Sequence, residues 1–115
     1  MTRILLSLLL LGALACGGGA PTGRPDIAGV VTAVQRDAAG RVTSVLVEER
    51  PGETAGSAKA SLRISATTVV RRGDAPASPN DLRQGQRVQA WFSGPVAESY
   101  PVQATAAAIQ ILAEP

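Results

Sequence analysis

Few residues in this chain are equipped for chemistry, and their spacing does not suit catalysis. The 115 residues include no histidine and one cysteine, Cys16. Without histidine there is no imidazole base and no Ser-His triad. With one thiol there is no intramolecular disulfide and no thiolate metal site. Glu98 has neither a second acid nor a base near it in sequence, and Ser99 has no histidine partner. The Arg72-Gly73-Asp74 tripeptide lies in a charged loop and reads as a chance match. The composition therefore predicts a protein that is not an enzyme and that uses no metal or cofactor. What remains is a recognition chemistry. All three aromatic residues, Trp91, Phe92 and Tyr100, fall within ten positions. Trp91 shares a strand face with Arg87, Gln89 and Ser93, so the alternation points an indole outward among polar neighbours. Such a ring can stack on a sugar, a base or an aromatic side chain. Arg87, Trp91, Glu98 and Tyr100 are the candidate binding surface. The bland alternative is that the 94–101 loop folds over Trp91, with Pro95 or Tyr100 against the ring.

These residues must be positioned by strands. Ile27 to Arg36 is rich in Val and Thr, and Asp37-Ala38-Ala39-Gly40 turns the chain. Arg41 to Arg50 alternates as a second strand, and the residues from Pro51 to Ala58 form a loop. Lys59 to Ala66 places Leu62, Ile64 and Ala66 on one face. Thr67 to Val70 either extends that strand or pairs separately. Gly73 to Ser78 reads as a loop, and Pro79 to Gly85 as one helical turn capped by Asn80, with Leu82 as its only apolar residue. Gln86 to Ser93 is the next strand, Gly94 to Pro101 a loop, and Val102 to Leu112 the last strand. Phe92 follows Val88 and Ala90 into the core. The expected fold is all-β: a small five-stranded antiparallel OB-like barrel with one short helical turn before the fourth strand. A sandwich of two small sheets is the alternative.

The first residues carry an address. Met1-Thr2-Arg3 is a short positive segment, and Ile4 to Leu14 is an apolar run too short to cross a bilayer. Ala13-Leu14-Ala15-Cys16 then resembles the bacterial lipobox, with Ala13 where Leu is commonest. That resemblance implies a signal peptide over residues 1–15, cleavage before Cys16 and lipid attachment to its thiol. Residues 16–26, rich in Gly and Pro, read as a tether, leaving 27–113 as one domain. The membrane is thus an expected partner through lipidated Cys16. The expected location is extracytoplasmic. It would be an outer membrane facing the periplasm in a Gram-negative cell, or the outer face of the cell membrane in a Gram-positive one.

A second resemblance lies in the domain. DLRQGQRV at residues 81–88, WFSGPVAESYPVQA at 91–104 and Ile109 are similar to the YobA-like lipoprotein domains of unknown function. The WFSGPVAESYP run is the specific part. The likeness implies an anchored extracytoplasmic β-barrel and transfers no catalytic residue. Two functions follow as expectations. One is a binding module for an envelope protein, a glycan or a small molecule. The other is a structural or stress-related envelope lipoprotein with no discrete ligand. Nucleic acid is not an expected partner: without Arg3, ten basic side chains face nine acidic ones, and only Arg87 stands beside Trp91.

Overall fold

Runs of Val, Ile and Ala separated by Gly- and Pro-containing turns produce seven strands in a computed structural model that describes residues 23–52 and 56–115. The expected signal peptide and Cys16 lie outside the described residues. The strands are β1 (Ile27–Arg36), β2 (Val42–Glu48), β3 (Lys59–Arg63), β4 (Val69–Arg72), β5 (Ala75–Ala77), β6 (Arg87–Ala97) and β7 (Val102–Ala113). β1, β2 and β3 form an antiparallel meander, β6 returns antiparallel to the first half of β1, and β7 pairs antiparallel with β6. β7 then meets β3 in parallel, Ala60 opposite Val102 through Arg63 opposite Thr105, and closes the ring. The barrel is therefore five-stranded and all-β as expected, but its closing seam is parallel.

β4 and β5 are additions to the ring. After β3 the chain makes a tight Ser65–Thr68 turn: Thr68 Oγ1 accepts from Ser65 N at 2.9 Å and donates to Ala106 O at 2.7 Å. β4 then rejoins β7 further along, Val69 opposite Ala108 to Arg72 opposite Ile111. β5 lies where the sequence suggests a loop. It is a three-residue edge strand with Pro76 at its centre, which blunts the edge against further pairing.

Single-residue bulges shape the wall. Between Val31 and Ala33 of β1 the partner advances by one, so Thr32 is extra. β2 carries Thr43 as an extra residue, and β7 carries Ala107 and Leu112. Each bulge reverses which parity points inward. β7 thus sends Ala104 and Ala106 toward the core before the bulge and Ile109 and Ile111 after it. Val31, Val45, Val47, Leu62, Val88 and Ile109 fill the interior, and Phe92 packs at its margin as expected. Ala66 lies beyond β3 and is exposed.

The helical turn before the fourth barrel strand is a 3-10 turn over Pro79–Asp81, shorter than expected. Ser78, not Asn80, is its cap. The Ser78 hydroxyl accepts from Asn80 N at 3.1 Å, and Ser78 N donates to the Asp81 carboxylate at 2.9 Å. Asn80 instead accepts from Val42 N at 3.0 Å, fastening the turn to β2. Leu82, fully buried, plugs the barrel base.

Candidate functional site

The four candidate residues are not brought together. Arg87 begins β6 and Glu98 lies just past its end, at most about 36 Å apart at about 3.3 Å per residue, and both are exposed. Trp91 is half-buried on the outer face of β6, where its indole N–H donates to the Gly23 carbonyl at 3.3 Å. Tyr100 turns elsewhere. Its hydroxyl donates to the Ser57 carbonyl at 3.1 Å, and Lys59 Nζ sits 5.4 Å from its ring centroid. The 94–101 segment therefore reaches toward the start of β3, while the stretch at Gly23 and Pro25 borders Trp91. Part of the expected loop is strand, because β6 runs on to Ala97, which pairs with Gln103. Arg72, first residue of the Arg-Gly-Asp tripeptide, is engaged by Glu114 at 2.8 Å.

Tyr100 belongs to a polar chain on the outer wall. Thr32, the β1 bulge residue, donates to Glu48 at 2.6 Å, and Lys59 lies 3.3 Å from the same carboxylate. The hydroxyl bond from Thr32, followed by the Lys59 ammonium, holds the Glu48 carboxyl below its ordinary value, against the opposing effect of burial. Glu114 is lowered by hydrogen bonds from Gln86 and then Arg72. Asp37 is lowered chiefly by the Arg41 backbone N–H that it accepts across the β1–β2 turn. All three fold with depressed values, so their stabilisation is complete above the unfolded-state values and is lost as pH falls through the folded ones. Thermal melts should hold a steady midpoint from pH 7 to 5, then fall below about pH 4.5, the ordinary glutamate value. Glu48→Gln should flatten that fall; an unchanged acid limb would mean that the Thr32–Glu48–Lys59 chain contributes nothing.

A concavity lies at the other end of β2. A groove of about 930 Å³ opens between the start of β2, the end of β3 and the β6–β7 hairpin. Gln35, Ser44, Ser61, Arg63, Gln103 and Thr105 give it amide, hydroxyl and guanidinium groups; Ile64, Val96 and Ala104 give it apolar surface. Ile64 and Ala104 also pack on the core, so the apolar part of the lining is anchored. Ser44 Oγ donates to Gln35 Oε1 at 3.0 Å. The lining contains no acid, and Arg63 makes no ion pair among the described residues. Sequence reasoning missed this groove. The alternation of Ser61 and Arg63 with Leu62 was visible, but its juxtaposition with residues 95–105 depends on the parallel seam.

The closed ring, the 1-2-3 meander, the parallel third-to-last strand seam and the plugged base define a barrel of the OB type. The chain belongs to the family described as protein of unknown function DUF3221, which matches residues 44–113 and so spans most of β2 through β7. No curated protein and no solved structure matches it.

Proposed function

We propose that the domain is a non-enzymatic binding module, anchored through lipidated Cys16 on the extracytoplasmic side of a membrane, and that the groove beside Arg63 is its ligand site. The groove carries the reading. It occupies the part of an OB barrel, strands two and three with the last hairpin, where such barrels commonly bind, although fold alone does not assign a ligand. Its chemistry favours a polar ligand bearing an anionic group: hydroxyls and amides to accept and donate, and one guanidinium with no acid beside it. A carboxylate-bearing peptide or small molecule of the envelope fits that description better than a neutral glycan, because neither Trp91 nor Tyr100 lines the groove. The lipobox resemblance at residues 13–16 and the YobA-like run at 91–101 support the anchored, envelope setting.

The test is photo-crosslinking of the protein in intact cells from a probe placed at Ser61 or Val96. A discrete crosslinked species should form and fall at least tenfold with Arg63→Glu, equivalent to about 1.4 kcal/mol. No species from either position, in folded protein, would instead favour a structural envelope lipoprotein without a discrete ligand.

A further inference from the structure

We propose that the outer sheet face around Trp91 is the surface on which this domain rests against an anionic lipid bilayer; the inference depends on the lipid anchor proposed above. Three observations meet there. The Gly23 carbonyl is the acceptor of the Trp91 indole N–H. Six residues separate Gly23 from Cys16, seven steps with a reach of at most about 25 Å, so an anchored Cys16 keeps this face close to the headgroups. Second, large apolar side chains stand exposed on this face among the polar Gln89 and Gln110. Trp91 and Val69 flank Ala108 from its two sides in one row of the sheet. Val69 is 41% exposed, and Leu112, the bulge residue further along β7, is 51% exposed. Third, three arginines face two aspartates around them, a net charge of +1. Arg87 precedes Trp91 on the same face of β6, Arg71 follows Val69 on the same face of β4, and Arg24 lies between Gly23 and Pro25. The acids are Asp74, in the shallow depression beside Trp91, and Asp26, whose carboxylate accepts the Phe92 backbone N–H at 2.8 Å. An indole with flanking aliphatics and arginines matches the headgroup boundary, where the ring is half wet, the aliphatics enter the acyl margin and the guanidinium groups meet lipid phosphate.

The face shares no lining residue with the Arg63 groove, so bilayer contact leaves that groove free for a ligand.

The chain has one tryptophan, which makes Trp91 its own reporter. The lipidated protein is reconstituted into phosphatidylcholine vesicles containing phosphatidylglycerol, with or without brominated acyl chains. The proposal expects co-flotation with the vesicles and at least a 1.5-fold loss of Trp91 emission with brominated lipid. Leu112→Asp and Val69→Asp should abolish the loss while flotation continues; both sites are exposed, and unchanged circular dichroism would show that the variants fold. Co-flotation with emission that brominated lipid leaves unchanged and iodide still quenches would overturn the inference and leave the anchor standing. No flotation would remove the anchor and this inference together. Concentration-dependent shielding of Trp91 from iodide without lipid would assign the face to a second copy of the chain and likewise overturn it.

Discussion

Leu82→Ala should destabilise the domain by about 3–4 kcal/mol, near the upper part of the range for buried leucines. Leu82 is fully buried and follows a 3-10 turn whose geometry is fixed from several directions. Its backbone N–H donates to Pro79 O, and Arg36 reaches its carbonyl at 3.5 Å. Asn80 ties the turn to β2, and Gln86 ties its far side: Gln86 Nε2 donates to Asp81 O at 2.9 Å and to Glu114 at 3.1 Å, while its Oε1 accepts from Arg83 N at 2.8 Å. A turn so held cannot sink into the space that a lost isobutyl group leaves. The walls cannot collapse inward either, because each barrel strand is paired on both sides. A domain of this size has a total stability of only about 5–13 kcal/mol, so the loss is a large fraction of it. Urea unfolding should show a lower midpoint with an unchanged slope. Leu112→Ala, at an exposed site on the same chain, should shift stability by less than about 0.5 kcal/mol. If the two variants behave alike, Leu82 is not the plug.

Leu82 was legible in the sequence because a lone apolar residue in a polar turn has few places to go. The strands from Ile27, from Lys59 and from Val102 were legible for a similar reason: Val, Ile and Thr between turn-forming residues leave little choice of backbone. Which face each residue takes was less legible. Alternation holds only between bulges, and nothing local in Val31-Thr32-Ala33 says that Thr32 is skipped; the partner strand decides it. Asn80 is as good a cap as Ser78 on local grounds, and it loses the role to a bond with Val42, 38 residues away. β5 was hidden by Pro76, which weakens a strand in isolation but suits an outer edge. Gln86, fully buried, looks like a surface residue in sequence, since its burial depends on Asp81, Arg83 and Glu114 converging. The candidate site suffered most. Trp91 and Tyr100 are close in sequence, yet the hairpin carries Tyr100 to Ser57 and Lys59, and the groove forms from segments that only the parallel seam joins.

Gly29→Ala should cost at least about 3 kcal/mol, and it tests the corner on which barrel closure depends. Gly29 does not need glycine for its dihedral angles; it needs glycine for space. A Cβ built there would lie 2.2 Å from Glu48 O, 2.6 Å from Glu48 C and 2.9 Å from Glu49 Cα. All three are backbone atoms of the neighbouring strand or its continuation, so no rotamer change relieves the clash. β1 cannot shift away, because on its other side Gly29 is paired with Val88 of β6. This is also where β1 changes allegiance: Ile27 to Val30 pair with β6, and from Val30 onward the strand pairs with β2. One strand serves two halves of the ring by bending there, and the bend brings two backbones together more closely than a methyl group allows. The added carbon must therefore part β1 from β2 at Glu48, which also breaks the Thr32–Glu48 hydrogen bond and draws Glu48 from Lys59. Overpacking usually costs about 1–3 kcal/mol; this case exceeds that because backbone on both sides must move. Ala28→Ser, one residue away and exposed, should be near neutral. Denaturant midpoints of the two variants decide the matter. A Gly29→Ala protein within about 0.5 kcal/mol of the parent would mean that the strands pass this corner with room to spare, and that closure rests on the bulges alone.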